Sequence, residues 1–131
     1  MTGPGKRTGR PGRRRAVGLE GERIASAFLE KRGYEILERN YRCRRGEVDL
    51  IARDGRVVVF VEVKARTSDR YGEPELAVDL RKQRKISIAA LHYLSSKGLM
   101  DVDARFDVVV IKWEGKAPMP ALIQNAFDRF E

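Results

Sequence analysis

Apolar positions along this chain repeat with the helical period in some stretches and the strand period in others, and the order they predict is helix, strand, hairpin, helix, strand. From Gly18 to Arg32, Ile24, Ala25, Phe28 and Leu29 form one helical stripe, and Gly33 suits the residue just past a helix end. Tyr34 to Arg39 predicts a first strand through Tyr34, Ile36 and Leu37. Asp79 to Ser96 predicts a second helix closing at Gly98, with Leu80, Ile86, Ile88, Ala89, Ala90, Leu91 and Leu94 on its buried side. Phe106 to Ile111, inside a strand from Arg105 to Trp113, is nearly continuous in apolar residues, as expected where both sheet faces are covered. Ala121 to Phe127 is short and apolar enough for a last strand or turn. The fold class is α/β, a mixed central β-sheet flanked by helices.

Between the first strand and the second helix, Arg45 to Lys64 predicts a β-hairpin around Asp54-Gly55, a dipeptide suited to a two-residue turn. Centred there, the turn sets Ile51 opposite Val58, Asp49 opposite Phe60 and Glu47 opposite Glu62. Glu47, Asp49, Glu62 and Lys64 then share a face with Ile51, Val58 and Phe60, while Val48, Leu50, Val57, Val59, Val61 and Val63 line the other, apolar face. Like charges opposed on a strand pair destabilise it, and a divalent cation reverses the sign. Mg²⁺ is held by one or two carboxylates with waters and substrate phosphates. Asp49, Glu62 and Glu47 are the candidate acids and the carbonyl of Val63 can complete the set, with Glu47 either an outer ligand or an acceptor behind the ligands, and Lys64 is placed to hold a phosphate oxygen or orient an attacking water. A solvated hairpin face with ordinary surface charges is the plain alternative.

Charge sharpens the expected partner. The net charge is +8, but residues 1–15 alone carry Lys6, Arg7, Arg10, Arg13, Arg14 and Arg15 with no acid. The other 116 residues hold 21 basic against 19 acidic side chains, so a basic surface on the folded part requires segregation. Rich in Gly, Pro and Arg, residues 1–15 are expected to be a disordered basic tail, either lying along phosphates or merely solubilising, ahead of a single domain over 16–131. Arg81, Lys82, Arg84 and Lys85 crowd the start of the second helix, where they suit either a phosphate partner or a solvated face. The loop from Arg66 to Glu75 leaves directly from Lys64, and its Arg66, Arg70 and Tyr71 can meet a substrate or simply connect.

Composition removes other classes. The longest apolar run is Val57 to Val61, far short of the roughly 18 residues of a membrane span, so no membrane partner is expected. No secretory signal is recognisable, and Cys43 as the single cysteine excludes an internal disulfide and a cysteine zinc site, which suits a reducing cytoplasm. His92 is the only histidine, and no Ser/His or Cys/His catalytic pair is available beyond it.

Asp49 followed by Glu62-Val63-Lys64 resembles the acid and (Asp/Glu)-x-Lys elements of the restriction-endonuclease-like superfamily of metal-dependent nucleases. Gly21-Glu22, Gly33-Tyr34, Arg45 to Ile51, Val59 to Arg66 and Gln124-Asn125-Ala126-Phe127 look like the YraN-like family of small bacterial proteins, over about Gly18 to Phe127. The superfamily's proline before the acid is Val48 here. That family is similar to archaeal Holliday junction resolvases, and the resemblance implies a fourth site residue, a glutamate of the first helix. Helical spacing allows Glu20 or Glu22, or neither beyond a favourable helix-dipole contact; the resemblance selects Glu22. It also implies a Mg²⁺- or Mn²⁺-dependent DNA endonuclease acting on branched or structured DNA, and a homodimer if both strands are cut symmetrically. The rival expectations are a non-catalytic nucleic-acid-binding or adaptor protein, and an RNA- or ribosome-associated one.

Overall fold

The computed structural model describes residues 9–66 and 78–128. They form α1 (Gly9–Lys31), β1 (Glu35–Arg42), β2 (Glu47–Asp54), β3 (Val57–Arg66), α2 (Leu80–Ser96), β4 (Ala104–Glu114) and β5 (Ala117–Ile123). The five strands make one sheet in the order of the chain. Only β3 and β4 run parallel, joined through α2, and every other neighbouring pair is antiparallel. The expected α/β class with a mixed sheet and flanking helices is what forms.

Both sheet faces are core. Ala25 and Leu29 of α1 pack on Leu50, Ala52, Val59, Val61, Val109 and Ile111. On the other face Ile86, Ala89, Ala90, Tyr93 and Leu94 of α2 cover Ile51, Val58, Phe60, Phe106 and Val108. The alternation along the hairpin therefore sorts side chains between two helices, and the apolar members of its mixed face are buried as deeply as those of the all-apolar face. Val48 departs from the expected side and joins the α2 cluster; it lies beyond Leu50, where the β2–β3 ladder ends.

The hairpin register differs from the expectation by two residues. Asp54 pairs with Val57, so the turn residues are Gly55 and Arg56, with Gly55 at φ 64° in the first central position that a type II′ turn gives to glycine. Ile51 faces Phe60, and Glu47 does not face Glu62. Since side chains alternate with a period of two, this slip changes every partner and leaves the faces of the paired residues unchanged.

Several element ends also differ. α1 starts at Gly9, so residues 9–15, read as tail from their composition, are helical, as the helix propensity of arginine allows. Residues 1–8 lie outside the described residues, as do 67–77, which include Arg70 and Tyr71 of the expected loop. At its other end α1 closes in a Schellman motif, with Tyr34 N–H donating to Leu29 O and Gly33 N–H to Glu30 O, both at 3.0 Å. α2 is capped by Asp79, whose side chain accepts from Lys82 N–H. Its Leu80 and Leu91 remain 64% and 47% exposed, and Ser87 and Tyr93 are buried instead, because one helix face cannot hold every apolar residue present. The stretch from Ala121 to Phe127, expected as a last strand or turn, is strand as far as Ile123, where β5 ends, and turns at Gln124 and Asn125. Beyond it Ala126 N–H donates to Phe106 O at 2.7 Å and Phe127 stacks on Phe106 at 4.9 Å. The outer strands are modified edges: β5 carries Pro118 and Pro120, and β1 has an irregularity between Ile36 and Glu38.

A polar network ties Tyr34, just past α1, to β4 and to the residues that follow β5. Asp107 is fully buried, yet it accepts from Arg105 Nε at 2.9 Å, from Arg105 Nη2 at 3.0 Å and from Asn125 N–H at 2.9 Å. Arg105 also donates to the hydroxyl of Tyr34 at 2.8 Å and to Asp54 at 3.2 Å, and Gln124 donates to the same hydroxyl at 2.9 Å. The sequence signals Gly33-Tyr34 and Gln124-Asn125 thus meet in a structural lock on the α1 side of the sheet.

Gly46, in the turn between β1 and β2, rests directly on the α2 backbone. A Cβ there would lie 2.6 Å from Ala89 N and 2.7 Å from Lys85 O, closer than any side chain can approach. Gly46→Ala is expected to lower stability by about 1–3 kcal/mol in urea unfolding. Gly18→Ala, with nothing within 4 Å in an exposed helical position, should be neutral or stabilising by up to about 1 kcal/mol.

Candidate active site

The β2–β3 ladder ends where Leu50 meets Val61, and the next residues outward are Asp49 and Glu62. The two acids flank the last pair of the ladder, near enough for Asp49 to act on the Glu62 carboxyl. Asp49 Oδ2 accepts the Val63 N–H at 2.8 Å, which ties the carboxylate to the β3 backbone where strand pairing has stopped. Glu62 is only 8% exposed, since α2 lies over this face. Among the described residues its Oε1 has no hydrogen-bond partner. Burial pushes the Glu62 carboxyl up to about 8, the neighbouring charge of Asp49 adds to the rise, and Lys82 opposes it. A buried acceptor without a donor costs about 1–3 kcal/mol, so a native protein that keeps one calls for a functional explanation.

Lys82 reaches this acid pair from α2. Its Nζ donates to Glu47 Oε2 at 3.1 Å and stands 3.8 Å from Glu62 Oε1, inside ion-pair range and too far for a hydrogen bond. Burial alone would lower its pKa, but the charges of Glu62, Asp49 and Glu47 and the hydrogen bond it donates to Glu47 outweigh that and raise it. Glu47 is held below the usual carboxylate range chiefly by the Lys82 hydrogen bond, with Arg42 assisting from 3.8 Å. Lys82, expected with its neighbours to suit a phosphate partner or a solvated face, is directed by the fold onto Glu47 and Glu62.

Lys64 is partly buried on β3, two residues beyond Glu62, and its charge favours ionised Glu62. Its backbone pairs with that of Val110. α1 approaches the same end of the sheet because position 21 is a glycine: a Cβ there would already be 3.1 Å from Ala65 Cβ and 3.7 Å from Val63 Cγ1. That closeness carries Glu22 to the rim, where its Oε1 accepts from Asn40 Nδ2 at 2.9 Å. Burial raises the Glu22 pKa, the Asn40 hydrogen bond opposes the rise, and the charge of Asp49 adds to it. Glu20 is exposed. Glu22 is therefore the helix glutamate within the field of Asp49, yet no three His, Cys, Asp or Glu side chains gather around one metal position among the described residues. The core of the arrangement is the pair Asp49 and Glu62.

Arg81, Arg84 and Lys85 are exposed on α2, next to Lys82. Arg66 ends β3, its backbone paired with Lys112, and Arg70 lies outside the described residues. Asn40 was not singled out from the sequence. It takes φ 51° within β1, between Arg39 and Tyr41, whose partners Leu50 and Val48 bracket Asp49. Asparagine tolerates that left-handed backbone better than most residues, and its place across from the acid is the one signal that could have found it. His92, exposed and hydrogen bonded to the Tyr41 hydroxyl, takes no part.

No helix among the described residues is long and apolar enough to cross a membrane. The solved structure of SSO0001 aligns with 73% of this chain at 21% identity and a TM-score of 0.33; the chain spans 42% of that structure's length. UPF0102 proteins give much closer matches. That of Geobacter metallireducens is 52% identical over 114 residues, covering 87% of this chain and 93% of its own. That of Geobacter sulfurreducens is 53% identical over 113 residues, covering 86% and 88%. That of Geotalea daltonii is 48% identical over 129 residues, covering 98% of both. The model of the uncharacterised protein family UPF0102 matches residues 21–111, the span that holds Glu22, Asp49, Glu62, Lys64 and Lys82, and the chain belongs to that family.

Proposed function

We propose that this protein is a Mg²⁺-dependent endonuclease with a restriction-endonuclease-like core, hydrolysing phosphodiester bonds in branched or structured DNA. The observation that carries the reading is Glu62: a buried carboxylate with an oxygen that meets no donor among the described residues, near Asp49 and two residues before Lys64. The donor set fits a hard divalent ion, which accepts one or two carboxylates and leaves room for water and phosphate oxygens. Asp49, Glu62 and the carbonyl of Val63 would hold it, with Glu22 outside them at the rim. Bound there, Mg²⁺ or Mn²⁺ supplies a water of lowered pKa and positive charge against the phosphate.

The remaining work falls to side chains. Lys64 orients the entering water or the scissile phosphate from a partly buried position that limits its freedom. Glu47 keeps Lys82 turned toward the acids. Exposed Arg81, Arg84 and Lys85 offer charge to the phosphate backbone beside the site.

Two predictions test this reading. Purified protein with Mg²⁺ or Mn²⁺ should cut end-labelled flapped or four-way-junction DNA in preference to linear duplex. Asp49→Ala and Lys64→Ala should each lower the rate by about 100-fold or more while circular dichroism and duplex binding persist. Salt-sensitive binding without cutting, on every substrate and with both metals, would sink the enzyme and leave a binding protein.

The second concerns pH in metal-free buffer. Because the Glu62 pKa is raised from 4.5 to about 8, its contribution to stability is full below pH 4.5 and is lost as pH climbs through 8. Glu62→Gln mimics the neutral acid, so its stability should match wild type near pH 4 and exceed it progressively up to pH 8, with a constant gap above. Parallel urea-unfolding curves across that range would show whether the gap opens.

A further inference from the structure

Lys82 is the feature that metal binding by Asp49 and Glu62 leaves unexplained. A half-buried ammonium on α2 stands 3.8 Å from the one oxygen of Glu62 that has no hydrogen-bond partner among the described residues. It is not free to drift there, for Glu47 holds the same nitrogen at 3.1 Å, and Gly46 locks the strand that carries Glu47 against α2. Glu47 in turn is steadied by Arg42 at 3.8 Å. The arrangement keeps a cation beside Glu62 without giving it a full hydrogen bond, which is the behaviour of a stand-in and not of a permanent partner.

We propose that Lys82 is a built-in competitor for the divalent-cation site: its ammonium neutralises the Asp49–Glu62 pair until a metal ion takes Glu62, and it thereby sets the metal concentration at which the site fills. This rests on the endonuclease reading only in requiring that the acid pair bind a metal. The electrostatics give the sign. A positive charge within 4 Å of a ligand oxygen opposes a second cation, while the same charge farther along α2 in solvent is screened. Lys82 is therefore a positioning residue whose loss strengthens a binding step, the opposite of what removal of a ligand does.

The test is Mn²⁺ binding to the intact, nucleic-acid-free protein, followed by the paramagnetic resonance of free Mn²⁺, with Mg²⁺ alone as displacing ion. Lys82→Met keeps the length of the side chain and removes the charge. Lys97→Met makes the same charge change at the far end of α2, at an exposed position. The expected result is Mn²⁺ affinity higher by about tenfold in Lys82→Met, a difference of roughly 1.4 kcal/mol, and within about twofold of wild type in Lys97→Met. Equal affinity in wild type and Lys82→Met, or equal gains in both variants, would overturn the competitor role while leaving the metal site standing. Mn²⁺ binding absent from wild type and both variants would overturn the metal site and this inference together, and weaker binding in Lys82→Met would show that Lys82 assists the metal and does not oppose it.

Discussion

The two-residue turn at Gly55 and Arg56 is the constraint on which the rest of the structure rests. It fixes how β2 and β3 pair, and β3 is the strand through which the antiparallel hairpin is joined to the parallel β4. A slip of one residue would turn one strand over relative to the other, taking either Ile51 with Asp49 or Phe60 with Glu62 out of the α2 face. Burial of the hairpin on both faces forbids that, since each large apolar side chain contributes about 1.5–3 kcal/mol by leaving water. The core thus enforces the register, and the register sets the acids near each other.

The faces of the hairpin were legible from alternation alone, whereas its partners were not. Periodicity assigns a side chain to a face and carries no information about a slip of two, which had to come from the turn; Asp54-Gly55 and Gly55-Arg56 are both reasonable turn pairs. α2 was found nearly to the residue because Asp79 and Gly98 mark its ends, but which of its leucines is buried depends on where the helix sits on the sheet. The same limit hid the environment of Glu62. Its neighbours along the strand are visible in the sequence, while its burial and its encounter with Lys82 come from a helix that begins eighteen residues later.

Two buried carboxylates in this molecule show how environment separates structure from chemistry. Asp107 is completely buried and met by Arg105, Tyr34 and Asn125, so its charge is compensated and it holds elements together. Glu62 is nearly as buried and carries an oxygen that no donor meets among the described residues. Burial of a charge is tolerable in the first case because several hydrogen bonds replace water. In the second, burial and the neighbouring charge of Asp49 raise the carboxyl pKa instead.

The outer strands have a consequence for how the molecule behaves among its own copies. Pro118 and Pro120 take two backbone donors out of β5, and the irregular β1 presents charged Glu38 and Arg39 beside its distortion. A sheet whose margins lack a regular run of donors and acceptors is a poor template for another strand. The valine-rich centre, which on an open margin would invite fibrous aggregation, can therefore stay concentrated in β3 and β4 without the sheet propagating from chain to chain.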